Sequence, residues 1–303
     1  RAGAADILTI AAIQASTEGG AEVAAVYLRL ALNLDPTDLT RFRLGQALAA
    51  AGREVDARDT LARVADSDPA LYAQARMEMG RSFQRDEEAE AALVEFSRAA
   101  VAVPDEIEIA YSLATQLIQL NRYDEALVIL NGPLLNTADQ PFEIHFVRGV
   151  VYESLDRIDE AEAELWAALQ ARPDDATVLN YLGYLWVDSG KRVSQGAEMI
   201  ARAHEAEPTN GNIQDSLGWA QYRQGQYEIA VETLEAAVAK EPANAEINDH
   251  LGDAYWQVGR QREAGFQWER VLTLTPDASR QAEVERKLVE GLAPAVPVSG
   301  TGT

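Results

Sequence analysis

The stretch DSLGWAQYRQGQYEIAVETLEAAVAKEP, Asp215 to Pro242, reads as two short amphipathic helices joined by a tight turn at Gly225. Apolar residues recur at helical spacing on both sides of the turn, and the closing proline cannot continue a helix. One residue exceeds what packing requires. Trp219 follows Gly218 directly, where a helical hairpin has no need of an indole.

Working outward from this hairpin, the same unit recurs along the chain. Pro36, Pro69, Pro104, Pro141, Pro173, Pro208, Pro242 and Pro276 are separated by 33, 35, 37, 32, 35, 34 and 34 residues. A tighter series, Gly45, Gly80, Ala114, Gly149, Gly183, Gly218 and Gly252, advances by 34 or 35 each time. Small residues lie 12 further on at Ala57, Ala92, Ala126, Ala161, Ala230 and Ala264. Large apolar residues follow at Leu61, Phe96, Leu130, Leu165, Leu234 and Trp268. A fixed period of this length marks a stack of helical hairpins.

Each position has a physical reason. The first small residue lies where the first helix (A) of a hairpin meets the second (B), and a side chain there would hold the axes apart. Proline beyond helix B stops it and sets the angle into the next hairpin. Gly52, Gly190, Gly225 and Gly259, with Asn121 and Asp156 in their place elsewhere, are expected to end helix A in the left-handed conformation. One hairpin buries too little apolar surface alone; stacked hairpins share a continuous core.

Asn131-Gly132-Pro133 stretches one unit and predicts a loop over 131–141. That break divides the expected array into residues 1–140, with about four repeats, and 141–292, with four more. Residues 279–292 form a helical pattern, with Val284, Leu288 and Leu292 on one face, that would cap the last hairpin. The tail 293–303, APAVPVSGTGT, is low in complexity and expected to be disordered.

These series resemble the tetratricopeptide repeat, a helix–turn–helix unit of about 34 residues, over roughly residues 5–278. The resemblance implies an all-α fold: a right-handed α-solenoid of about eight repeats with a C-terminal capping helix. It also implies that helix A lines the inner surface through residues three before, one after, and four or five after the small residue. Carried onto this chain, the rule offers Asn180, Tyr184, Val187 and Asp188, then Asp215, Trp219, Tyr222 and Arg223, then Asp249, Asp253, Trp256 and Gln257. Of these, Asn180, Tyr184, Asp188, Asp215, Trp219, Tyr222, Arg223, Asp249, Asp253 and Trp256 are the candidate partner-binding residues. Tyr222 and Trp256 fall where an aromatic ring also serves to pack neighbouring hairpins. Earlier repeats offer a less acidic wall, with Phe42, Met77, Arg81, Gln84, Arg85 and Tyr111.

Composition narrows the function. The chain has 303 residues, a formal net charge of −23 and no cysteine. Phosphate neutralisation needs clustered Lys and Arg, so nucleic acid is not an expected partner. Residues 101–250 carry 26 acidic against 9 basic side chains, which suits a basic or amide-rich ligand. Disulfides, thiolate metal sites and cysteine nucleophiles are excluded. His145, His204 and His250 occupy non-equivalent repeat positions, so no shared metal site is expected, and no motif implies a cofactor or an enzyme. Carboxylate runs such as RIDEAEAEL, Arg157 to Leu165, read as solvated faces.

The run NYLGYLWVDSG, DSLGWAQYRQGQY and DHLGDAYW looks like the C-terminal repeats of large proteobacterial tetratricopeptide proteins, often lipoproteins of the cell envelope. Asn180, Leu182, Gly183, Tyr184, Asp215, Ser216, Leu217, Gly218, Trp219, His250, Leu251, Gly252 and Trp268 carry that likeness. Its implication is a periplasmic scaffold or adaptor joining a carboxyl-terminal processing protease to cell-wall hydrolases, with the cytoplasm as the alternative compartment. A carbohydrate-binding scaffold and a self-associating array are the rival readings.

Overall fold

A computed structural model describes residues 2–274 and 276–292. The tail 293–303 lies outside the described residues. Among those described there are 17 α-helices and no strand. The chain divides between Gln140 and Pro141 into two compact units.

The first unit pairs α1 (Ala2–Thr17) with α2 (Ala21–Leu34), α3 (Asp38–Ala50) with α4 (Glu54–Leu61), α5 (Pro69–Arg85) with α6 (Ala89–Ala102), and α7 (Ile107–Gln119) with α8 (Tyr123–Leu130). The second pairs α9 (Phe142–Ser154) with α10 (Ile158–Ala171), α11 (Ala176–Asp188) with α12 (Val193–Ala206), α13 (Gly211–Arg223) with α14 (Tyr227–Lys240), and α15 (Ala245–Gln257) with α16 (Gln261–Thr273). The last helix, α17 (Ala278–Glu290), packs on α16. Each unit is therefore a stack of antiparallel helical hairpins, the solenoid expected from the period.

The turns explain the register. Gly225 adopts φ 77°, a left-handed conformation closed to most side chains, and the backbone N–H of Gln226 returns to the Gln221 carbonyl. Asn121 and Asp156 take the same conformation at φ 56°, as expected, and so does Glu87 at φ 60°, which the sequence did not flag. Close approach of A to B rests on the small residues. A Cβ added at Gly218 would lie 2.6 Å from Leu234 Cγ, so the leucine occupies the volume that the glycine vacates.

Two prolines play a different part from the one the period suggests. Pro69 stands at the first turn of α5, and Pro141 is the N-cap of α9. Proline suits a helix start because its missing N–H would have no intrahelical partner there. Helix α4 ends early, at Leu61, and 62–68 forms the link into α5. The Asn131-Gly132-Pro133 break behaves as expected. Helix α8 stops at Leu130 and the next helix begins at Phe142.

Helix A of each hairpin in the second unit touches helix A of the next, α11 on α13 and α13 on α15. Those helices form the shared wall on which the candidate residues stand.

Candidate functional site

The candidate residues of α11, α13 and α15 fall into two groups with different surroundings. Asp215, Trp219 and Tyr222 lie one and two turns apart on one stripe of α13. The helix start is fixed by Asn210, whose side chain accepts from the N–H groups of Asn212 and Ile213. α15 begins in the same way at Asn244.

A histidine organises the first group. His250, buried on α15, stacks against the Trp219 indole with ring centroids 4.2 Å apart and planes 14° from parallel. Tyr222 stacks on the same indole at 4.8 Å and 7°, and Tyr184 lies tilted at 6.5 Å from the imidazole. His250 Nδ1 stands 3.0 Å from both carboxylate oxygens of Asp215, itself buried. Burial alone would lower the imidazole pKa. The Asp215 charge and hydrogen bond, reinforced by Glu246 and Asp249, outweigh it and push His250 up to about 9. At neutral pH an imidazolium therefore lies on the indole face, and a cation on an aromatic face is favourable.

The edge of the indole is pinned as well. Trp219 Nε1 donates to Asp188 Oδ1 at 3.1 Å, and Arg223 Nη1 donates to the Asp188 carbonyl at 2.7 Å. The ring remains half-buried, with its orientation fixed by Asp188, His250 and Tyr222. A pre-oriented aromatic group loses little entropy when a ligand settles on it. Tyr184 donates to Glu246 Oε1 at 3.2 Å. Burial, followed by the Glu246, Asp188 and Asp215 charges, holds its hydroxyl protonated far beyond the ordinary tyrosine range.

The second group is enclosed by the chain itself. Asp249 and Asp253, expected on an open groove wall, are buried at 3% and 6% exposure. Lys287 of α17 reaches both, at 2.8 Å from Asp249 Oδ1 and 2.9 Å from Asp253 Oδ1. Arg280 of α17 pairs with Asp249 at 3.3 Å and Glu246 at 3.2 Å. Trp268 Nε1 donates to Asp253 at 3.0 Å. Burial pushes the Asp253 carboxyl above its ordinary range even beside the Lys287 ammonium. Trp256 donates to the Leu292 carbonyl at 3.0 Å and packs on Trp268. Asp215, Asp249, Asp253 and Trp256 are thus internal partners rather than free contact groups. The physical reason is that each helix A covers part of the one before it, and α17 continues that succession.

What stays available is Asn180, Tyr184, Asp188, Trp219, Tyr222 and Arg223, grouped over α11 and α13. The groove rule passed over His250 because it stands two residues before Gly252, outside the inward register. Glu153 and Glu246 were also missed, although Glu153 lies four after Gly149 and the rule, applied one repeat earlier, finds it.

The His250–Asp215 pair makes stability depend on pH. The folded-state pKa, about 9, exceeds the reference 6.5, so the stabilisation is fully present below pH 6.5 and is lost as pH rises through 9. Urea unfolding between pH 6 and 10 should show that decline in the wild type, and Asp215→Asn should flatten it. An equal slope in both proteins would remove the pair from the account.

Residues 142–175 and 216–279 match models of the tetratricopeptide repeat. Those two segments are similar to the tetratricopeptide repeat, and the helices they span pair as antiparallel hairpins. Over 205 residues it is 27% identical to the TPR repeat-containing protein PA4667 of Pseudomonas aeruginosa, a match covering 67% of this chain and 34% of that protein. The match thus spans about a third of that relative. A tetratricopeptide repeat protein from Parabacteroides merdae superimposes with a TM-score of 0.69 at 15% identity, covering 84% of this chain and 99% of the other. A chain of the APC/C hetero-tetramer Cut9–Hcn1 superimposes at 0.63 and 15% identity, covering 88% of this chain and 52% of that one. At these identities the two structures speak to the fold.

Proposed function

We propose that the chain is a non-catalytic scaffold that binds a partner protein on the helix-A wall of its second unit. The observation that carries this reading is the fixed, half-open indole of Trp219, held by His250, Tyr222 and Asp188. A rigid aromatic ring rimmed by polar groups is a typical anchor for a bound chain. The likeness of residues 142–175 and 216–279 to the tetratricopeptide repeat supports the same role, because a stack of hairpins offers an extended surface and no single enclosed reaction chamber.

The finer proposal is a periplasmic adaptor that brings cell-wall enzymes to a carboxyl-terminal processing protease. Its support is the sequence likeness of the C-terminal repeats. The first unit offers a second surface, a cavity of about 380 Å³ lined by Phe42, Gln74, Met77, Arg81 and Ile109 among others. An adaptor would use the two surfaces for different partners. Capture from its own cells with the full chain tests this, comparing Trp219→Ala with Arg81→Glu. The adaptor reading requires each variant to lose a different protein. Loss of the same protein from both would reduce it to a single-partner scaffold.

A glycan ligand is the second reading, because the Trp219 and Tyr222 rings stand beside carboxylates and amides that suit sugar hydroxyls. Binding of purified glycan strands that depends on Trp219, without protein capture, would replace the adaptor reading. Self-association is favoured at one place, the first hairpin, where Ile7, Ile10, Val23 and Val26 are exposed. Light scattering of wild type and Ile10→Lys tests it.

A further inference from the structure

Beside the Trp219 cluster, the second unit contains a polar cavity of about 400 Å³, lined from α9, α11, α13 and α15. Its wall includes Glu153, Asn180, Tyr181, Tyr184, Asp215 and Glu246. Most of the acceptors here already have donors. Asp215 has His250, and Glu246 has both Tyr184 and Arg280.

Two do not. Glu153 is half-buried, and among the described residues no donor or cation reaches it. Its carboxyl is held above the ordinary range by burial first, then by the like charges of Glu246 and Asp188. The amide oxygen of Asn180 is shut off from solvent with no hydrogen-bond partner. An unmatched buried acceptor costs folding free energy, and a partly buried carboxylate facing other carboxylates costs more. Tyr181 supplies an aromatic wall, 37% exposed and edge-to-face on Phe146 at 5.1 Å.

We propose that this cavity receives one arginine side chain of the bound protein, its guanidinium meeting the Glu153 carboxylate beside the Tyr181 ring. The inference rests on the groove reading above and names the anchor that the partner supplies. Arginine fits better than lysine. Its planar fork carries five donors, it sheds water more readily, and it stacks on aromatic rings. The negative charge around the cavity supplies the attraction and selects against acidic side chains.

The test uses the full chain and capped pentapeptides Gly-Ala-X-Ala-Gly, with X as arginine, lysine, citrulline or glutamate, titrated by NMR at low salt. The arginine peptide should bind and weaken as salt rises, while citrulline, its neutral isostere, should not bind. Glu153→Gln should weaken the arginine peptide at least tenfold and raise the thermal midpoint, because it removes an unpaired carboxylate. A site kept for packing would not trade binding for stability in that way. Equal binding of arginine and citrulline, or unchanged arginine binding in Glu153→Gln, overturns the proposal. Its failure is separable from that of the groove reading. If partner capture is lost in Trp219→Ala but kept in Glu153→Gln, the anchor falls and the groove stands. If the arginine peptide depends on Glu153 while capture ignores Trp219, the groove reading falls and the cavity stands.

Discussion

Lys287→Ala is expected to destabilise the second unit by about 3–5 kcal/mol, the usual cost of removing one partner from a buried ion pair. Lys287 is 3% exposed. Its ammonium is the near counter-charge to two carboxylates, Asp249 and Asp253, that are themselves out of water. Of these two carboxylates Arg280 reaches Asp249 alone, at 3.3 Å, and cannot replace the lysine at Asp253. The variant therefore leaves Asp253 buried without its cation, beside the like charge of Asp249, in the seam between α15 and α17. Urea unfolding should show a lower midpoint at unchanged slope. The penalty should shrink as pH falls, because protonating Asp253, whose pKa burial has already raised, removes the repulsion. Urea titrations at pH 5 and pH 8 measure this, and a penalty below about 1 kcal/mol at pH 8, the range of exposed pairs, would contradict the buried-triad description.

The second large effect concerns the tightest hairpin. In α11–α12 both small positions are glycine, and the two backbones meet there. A Cβ at Gly196 would lie 2.5 Å from the Gly183 carbonyl oxygen and 2.9 Å from Val187 Cγ2. The oxygen belongs to the backbone of α11 and cannot swing aside as a side chain does. Gly196→Ala should therefore cost at the upper end of the 1–3 kcal/mol typical of overpacking, despite the better helix propensity of alanine. Gly265 of α16 is the control, since a Cβ there meets nothing within 4 Å, and Gly265→Ala should stabilise by a few tenths of a kcal/mol up to about 1 kcal/mol. Thermal unfolding of the two variants gives the comparison. Equal behaviour would mean that the α11–α12 contact is looser than the geometry describes.

The hairpins were legible because their constraints are local and repeated. A glycine that must admit a leucine, and a turn that must go left-handed, recur with each unit and declare the period. Departures from the period arose where a residue type serves two ends. Pro69 and Pro141 look like helix stops but stand at helix starts, and only the shortened α4 and the 131–141 loop decide which. The capping helix was legible as a helix but not in its facing. Val284 is buried as expected, whereas Leu288 is 36% exposed and Lys287 takes the inward place. Hydrophobic spacing cannot signal a lysine that is buried because two aspartates await it.

The site was legible as a face, not as a set of contacts. The register rule located Trp219 and Tyr184 on the helix-A wall. It could not say how far the next helix A would cover each position, so Asp249 and Asp253 read as open groove. The His250–Asp215 pair joins residues 35 apart on successive hairpins, and no pattern within a single repeat reveals that their side chains meet.

The central claim is that recognition takes place on the helix-A wall around Trp219. Site-specific photocrosslinking in the protein's own cells tests it most directly, with the reactive amino acid placed at Arg223, beside the indole, in one variant and at Phe266 in another. Phe266 lies on the B-helix side and is 62% exposed. The account predicts a discrete partner protein crosslinked from position 223, none from 266, and loss of that crosslink when Trp219→Ala is introduced into the same chain. Crosslinks from position 266 alone, or a partner captured equally well by Trp219→Ala, would contradict it.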